Sequence, residues 1–417
     1  MNVLIQVALR NVFRNRRRTI FTLAAIVVAL AVVQVITSIN NSFYRFTVGN
    51  AVDSKLGALQ IHRSGYLSNI SLNPLSFHFP YTSQFVFQLE QIDGVKAVSG
   101  RIQFRGLVSN GREQALFFGS AVDPQREGLV CPRWMETLSF GSQAFESSSG
   151  AQAILGLELG RSLGAALDKK HGAEERGDFA YLNLSAASPN GRQNAIDVQI
   201  RGLMRSTLPI EEKRSLMLPL SVAQDLLGLP GAVTEVAVAV DDFEQIESVR
   251  RKLQSHLGED YEVSTWADVQ PFLRDVVFRQ KVMIGIVSAI LFILAVFVIA
   301  NTMTMAVFER TREIGTMLSL GVRKNTIRII FLLEALFVGV VGAFIGSCVG
   351  LSIVFYLSIR GIPFGTAGFG QGILYPFLTL DFVLISFCVA IVCSVLAGVA
   401  PARKASDMNP VDALRST

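Results

Sequence analysis

The chain has 417 residues, half of them hydrophobic, with only 17% charged residues and a formal net charge of +5. A soluble globular domain usually carries about 25% charged residues. The deficit here is concentrated in four stretches, which excludes a wholly water-soluble chain. The positive balance gives no support for nucleic-acid binding, because residues 45–280 carry 23 basic and 27 acidic side chains and the basic excess lies beside the uncharged stretches.

The first uncharged stretch fills the 26 residues between Arg18 and Arg45, after Arg10, Arg14, Arg16, Arg17 and Arg18. A cleaved signal peptide has an apolar region of about 7–15 residues and a small-residue cleavage site. This run is longer and ends in VITSINNSFY without such a site, so it reads as an uncleaved span.

Residues 45–280 are long enough for one or two folded domains. GALQIHRSGY (57–66) reads as a strand ending in a turn, and Phe85 to Gly94 as a short helix carrying Phe85, Leu89 and Ile92 on one face. Two strand-like runs flank Asn110-Gly111, a strong hairpin signal. AILGLELGRSLGAAL (153–167) reads as a strand then a helix, and VTEVAVAVDD (233–242) alternates as a strand. FEQIESVRRKLQSHLG (243–258) is an amphipathic helix with Phe243, Ile246, Val249, Leu253 and Leu257 on one face. YEVSTW is a further strand. The segments ESSSG (146–150) and DKKHGAEERGD (168–178) read as exposed loops. The expectation is an α+β domain in two lobes.

Three more weakly charged stretches follow: the 27 residues between Lys281 and Glu309, the 31 between Arg328 and Arg360 with Glu334 alone, and the 21 between Asp381 and Arg403. A hydrocarbon core needs roughly 20 apolar residues of helix, so each can span. Four spans put the N-terminal tail, the 309–328 loop and the C-terminal tail on one side. Their arginines and lysines assign that side to the cytoplasm, and residues 45–280 to the other. The expected class is therefore a membrane α-helical protein with four transmembrane helices and a large extracytoplasmic α+β domain between the first and second. Its divisions are 1–44, 45–280 and 281–417.

Gly342, Gly346 and Gly350 recur every fourth residue, the spacing at which small residues let membrane helices approach closely. The pattern leaves open whether the partner is another span or a second subunit. Glu334 lies near the cytoplasmic end of its span, where an arginine can pair with it. Cys131, Cys348, Cys388 and Cys393 read as small apolar residues. The scattered His62, His78, His171 and His256 show no metal-ligand spacing. A Walker cradle needs a Gly-Lys pair, and the sequence has none. H-E-x-x-H is absent as well. No catalytic, cofactor-binding or metal site is singled out.

Between the second and third stretches runs ERTREIGTMLSLG, Glu309 to Gly321. Ile314, Met317 and Leu318 fall on one helical face, Arg312, Glu313, Thr316 and Ser319 elsewhere, and Gly321 suits a left-handed cap. Arginines alone suffice to set topology; the carboxylates and the apolar face ask for more.

This motif within NTMTMAVFERTREIGTMLSLGVRKNTIRIIFLLEALFVGVVGAFIGSCVG (301–350), the tail PARKASDMNPVDALR (401–415) and the N-terminal ALRNVFRNRRRTIFTLAAI resemble the FtsX-like permeases, the membrane subunits of type VII ABC systems. Within that family the lipoprotein-releasing (Lol) permeases are the nearer resemblance, since GALQIHRSGY and YEVSTWADVQPFL are similar to their flanks. The macrolide-exporter type is similar in topology but carries its own ATPase domain, which is expected to be missing here. The resemblance implies a non-catalytic subunit of the bacterial inner membrane with both termini in the cytoplasm. It implies two permease subunits, same or related, and an ABC ATPase dimer that binds the ATP and magnesium. Membrane lipids and a lipoprotein or periplasmic protein complete the expected partners. ATP-driven closure would pass through Glu309, Arg310, Arg312, Glu313, Ile314, Gly315, Met317 and Leu318 to the external domain, releasing or exporting a substrate. A mechanotransmission or sensing subunit that moves no substrate would use the same helix. A membrane-anchored enzyme would instead show activity from the external domain without ATP.

Overall fold

The computed structural model describes residues 10, 14, 16–70, 73–139, 142–145, 150–164, 181–206, 209–366, 370–410 and 413. The loop DKKHGAEERGD and most of ESSSG lie outside these residues. The α-helices of seven or more residues among the described residues, in chain order, are α1 (Arg16–Ala51), α2 (Ser83–Glu90), α3 (Pro124–Val130), α4 (Leu220–Leu227), α5 (Ile246–Leu257), α6 (Pro271–Glu309), α7 (Thr311–Ser319), α8 (Lys324–Arg360) and α9 (Leu380–Ser406). The strands of the main sheet are β1 (Leu59–Arg63), β2 (Val95–Ser109), β3 (Gln114–Val122), β4 (Gln152–Gly156), β5 (Leu182–Ala187), β6 (Gln193–Met204), β7 (Ser215–Pro219), β8 (Glu235–Val240) and β9 (Tyr261–Thr265). The chain divides into a helical unit (Met1–Arg45, Val276–Phe364, Gly372–Thr417) and a sheet unit (Phe46–Asp275, Gly365–Gln371).

In the helical unit, α1, α6, α8 and α9 are each long and apolar enough to cross a membrane. Large apolar side chains such as Phe297, Phe355 and Leu396 are more than half exposed, as expected where lipid rather than water is the surrounding solvent. Ile26, Leu30, Ile299, Met303, Ala335, Val338 and Ala390 form the common core. Helix α8 carries the glycine row. A Cβ on Gly342 would stand 3.0 Å from the Ile26 side chain, on Gly346 3.1 Å from the Val27 Cα and on Gly350 3.2 Å from the Ala31 Cα. The glycines thus admit the α1 backbone itself, and the partner left open by the spacing is another span of the same chain. Gln34 of α1, fully buried, donates to Ser347 Oγ of α8 and Ser386 Oγ of α9 at 3.3 Å each.

The sheet unit is built around β2. Residues 95–101 pair with β8, which continues through β1 to β9 in an antiparallel array. Residues 101–109 pair with β3, and 106–109 also with β5 on the other side. The strand order β9-β1-β8-β2-β3-β7-β4-β6-β5, with β5 returning to β2, closes the last six strands into a barrel. Alternation fills it: Ile102, Phe104 and Val108 of β2 and Phe117 and Ala121 of β3 are buried, and the Phe104 and Phe117 rings meet edge to face at 5.6 Å. The open array and the barrel share one continuous strand and make one compact unit.

Most elements fall where the sequence puts them. The hairpin turns through Asn110–Glu113, Asn110 Oδ1 accepting from the Arg112 and Glu113 amides. One face needs correction: Phe243 is 37% exposed, because a 3-10 turn over Phe243–Gln245 precedes α5 and takes it out of register with the buried Ile246, Val249 and Leu253. A two-stranded sheet of Ile362–Thr366 and Gly370–Leu374 between α8 and α9 is not foreseen; its glycine-rich sequence lacks alternation.

Where β2 changes partners sits Arg101, 2% exposed. It grips Glu127 of α3 with two donors (Nε to Oε2 at 3.1 Å, Nη2 to Oε1 at 2.5 Å), donates from Nη1 to the Lys55 carbonyl at 2.7 Å and stands 3.6 Å from Glu235 Oε1 of β8. A bidentate guanidinium–carboxylate pair is strong and directional. Burial opposes the ionisation of Glu235, but the neighbouring His62 and Arg101, with Gln103 donating at 3.3 Å, outweigh it and hold the carboxyl below its ordinary range. Burial pushes the Cys131 thiol up to about 12 against the pull of Arg101, which keeps it protonated and unreactive.

Two outcomes test this packing. Gly346→Leu should lower the thermal unfolding midpoint of the chain in lipid nanodiscs, whereas Gly285→Leu, with nothing within 4 Å of its would-be Cβ, should not; equal effects would refute the close approach. For Glu235, a depressed folded pKa stabilises above the unfolded value, taken as 4.5, and the benefit vanishes as pH falls through the folded value. Both tryptophans, Trp134 and Trp266, lie in the sheet unit. Their fluorescence should show Glu235→Gln less stable than wild type above pH 4.5, with the gap narrowing in acid. A pH-independent gap would sink the assignment.

Candidate coupling site

Helix α7 follows α6 after a single residue, Arg310, and ends in a tight reversal. The Gly321 amide donates to the Leu318 carbonyl at 3.1 Å and the Val322 amide to the Met317 carbonyl at 3.0 Å, with Gly321 at φ +84°. This is a Schellman motif, and Val322 and Met317 pack on the same apolar cluster, as the motif favours.

The helix is amphipathic. Ile314 is 1% exposed and joins Val307 of α6, Ile327 and Phe331 of α8 and Ala402 and Ala405 of α9, with Met317 and Leu318 against them. Gly315 is buried because Ala413 lies over it; an added Cβ would come within 2.7 Å of the Ala413 Cβ. A bulky residue there would collide with the chain's own tail before meeting any partner. The apolar face of the motif is thus consumed internally and clamps α7 to the ends of three long helices.

Its charges are also mostly paired inside the chain. Arg310, 6% exposed, contacts Glu334 Oε2 at 3.3 Å, and Arg18 of α1 approaches Glu334 Oε1 at 3.7 Å. Arg18 also binds Glu309 at 3.0 Å, and Arg14 binds Glu313 at 2.7 Å. Glu334, 2% exposed, therefore has two guanidinium partners from two other segments. What remains outward is Arg312, Thr316, Ser319 and Leu320, at helical spacing i, i+4, i+7, i+8, with Glu313 at its margin. Leu320 is 79% exposed. Of the eight residues predicted for coupling, Arg312 and Glu313 are exposed, Ile314, Gly315, Met317 and Leu318 face inward, and Glu309 and Arg310 belong to the ion network. Sequence reasoning missed Arg14, Arg18 and Leu320. Arg18 had a signal, as the last cation before an apolar run; Leu320 had none, because only the cap geometry turns it outward.

Among the described residues no group of His, Cys, Asp and Glu could hold a metal ion. The arrangement is a short helix packed on three long ones, presenting a narrow mixed surface.

A family model for the FtsX-like permease C-terminal region matches residues 285–410, and one for the MacB-like periplasmic core domain matches residues 19–256, more than half of the chain. The chain belongs to this family of MacB-type, FtsX-like ABC transporter permeases. It is 27% identical over 99% of its length to a pyoverdine export ATP-binding/permease protein of Pseudomonas fluorescens, covering 59% of that protein. It is 32% identical over 44% of its length to the ABC transporter permease YtrF of Bacillus subtilis, 42% of which is covered, and 28% identical over 44% to a macrolide export ATP-binding/permease protein of Hyphomonas neptunium, 27% of which is covered. The chain spans less than two thirds of the length of each. Their names are those of exporters and permeases and lend no support to lipoprotein-releasing permeases as the nearer kin.

The network makes a measurable claim. Removing one partner of a buried ion pair typically costs about 3–5 kcal/mol. Arg310→Gln leaves Glu334 with Arg18 alone and should lower the unfolding midpoint in nanodiscs. Adding Glu334→Gln should recover part of the loss; a fully additive double variant would refute the pairing.

Proposed function

We propose that the chain is the permease subunit of an exporter in a bacterial inner membrane, with both termini cytoplasmic, and that α7 receives the stroke of an ATPase. The observation that carries this reading is the division of α7. Its apolar face and ion pairs bind it to the long helices, while Arg312, Thr316, Ser319 and Leu320 stay outward. A surface that only set topology would not need such anchoring. An exposed leucine ringed by polar groups is instead the composition of a small docking patch.

In this mechanism the ATPase dimer, holding ATP and magnesium, closes and displaces α7. Because α7 shares one core with the ends of α6, α8 and α9, the long helices follow. The sheet unit then acts on cargo outside the membrane. The names of the relatives, macrolide and pyoverdine export, favour a small molecule over a lipoprotein as cargo. A second permease copy, the same or related, completes the assembly.

The test pairs Arg312→Glu and Leu320→Asp in the reconstituted complex. Each should reduce permease-stimulated ATP hydrolysis and substrate release by roughly tenfold or more, the scale of a hot-spot loss, while the unfolding midpoint stays that of wild type. Unchanged stimulation and release in both variants would overturn the docking role. Retained stimulation with lost release would overturn only the placement of the coupling.

A further inference from the structure

The sheet unit holds a cavity of about 540 Å³, within the ~300–1,000 Å³ range of small-molecule sites. Strand alternation builds its floor. Phe118, Ser120 and Val122 share the outer face of β3, and Met217 of β7 lies opposite Ser120 in register. Leu56, just past α1, and Phe272 and Leu273, at the start of α6, add apolar side chains. Phe118 keeps 45% of its surface exposed although large aromatic rings are favoured in cores.

Among the described residues, the charged side chains that line the cavity are matched except at one point. Arg101 is held by Glu127 and Glu235. Lys55 binds Glu211 at 2.9 Å. Burial works against the Glu211 charge, but Lys55 and the Ser206 hydroxyl hold its carboxyl below the ordinary range, so this pair is ionised and self-neutralising. Arg205, exposed at the rim, has no carboxylate within ion-pair distance among the described residues. Ser206 and Gln270 supply further polar groups to the lining.

An apolar hollow with one unmatched guanidinium at its rim is complementary to a small amphiphile with an anionic head. A cationic head would meet Arg205 as a like charge, and a fully polar solute would leave the apolar floor unsatisfied. We propose that this cavity binds a single-chain amphiphile bearing a carboxylate or phosphate, its head on Arg205 and its chain against Phe118, Val122, Met217 and Leu273. The site stands independently of the coupling reading, and its occupancy is measured without ATP.

The experiment uses the full chain in phosphatidylcholine nanodiscs and a dodecanoic acid carrying a diazirine near the end of its chain. Photolabelling mapped by mass spectrometry should fall on peptides containing Met217, Val122 or Leu273. Excess dodecanoate or dodecyl phosphate should suppress it, the more effective of the two identifying the preferred head, and dodecyltrimethylammonium should not. Arg205→Glu, a surface change, should cut labelling on the order of tenfold, the worth of a charge-assisted contact. Met217→Trp should abolish it by filling the hollow, at an unchanged unfolding midpoint. Labelling spread over the lipid-facing surfaces of α6 and α9, equal suppression by the cationic competitor, or wild-type labelling of Arg205→Glu would each overturn the proposal.

Discussion

A carboxylate on an otherwise uncharged stretch of an apolar helix has to be neutralised, and the helical unit is arranged around that need. Glu334 is almost wholly buried, and Arg310 and Arg18 reach it from the end of α6 and the start of α1. An ion pair of this kind is not a large source of net stability, since desolvation offsets most of the attraction. Its value is positional. Any slide of α1 or of the α6–α7 junction against α8 strands a charge, so these three segments are held in one register. The same arginine, Arg18, also holds Glu309, which ties the beginning of the chain to the residue that closes α6.

The sheet unit uses the same device for another purpose. A strand that serves an open array at one end and a barrel at the other must bend its neighbours apart between them. Arg101 stands at that point and joins β2 to α3, to β8 and to the carbonyl of Lys55. Its Nη1 donates to the Lys55 and Leu56 carbonyls at the end of the helical turn Val52–Leu56 that follows α1, and so satisfies acceptors that a helix end leaves open. Both units are therefore organised by a buried charge that more than one element holds, the Glu334 carboxylate in one and the Arg101 guanidinium in the other, with apolar packing filling the space around it.

For α7 the consequence is a separation of roles along thirteen residues. The apolar side is a fastening, the carboxylates are a fastening, and the outward stripe is what a partner could touch. A helix fastened this firmly has little room to shift independently of the long helices it packs on. The family assignment rests on matches that together run through both units.

Much of this was legible in the linear chain. Uncharged runs of 26, 27 and 21 residues, with a fourth of 31 bearing Glu334, mark the four helices that are long and apolar enough to cross a membrane, because hydrocarbon tolerates neither open backbone groups nor unpaired charge. Period-two and helical patterns gave the hairpin about Asn110-Gly111, α5 and the capped α7, since each depends on neighbours within a few residues. Tertiary structure alone decided the rest. The glycine row of α8 could have met any helix; only packing turned it toward Val27 and Ala31. The arginine for Glu334 could come from several segments, and chain folding brought Arg18 across more than three hundred residues. That β5 returns to β2 and closes a barrel depends on pairings distant in sequence, which local patterning does not encode. The outward turn of Leu320 and the lone guanidinium of Arg205 likewise exist only as positions in space, because exposure and charge balance belong to surroundings that the residue itself does not specify.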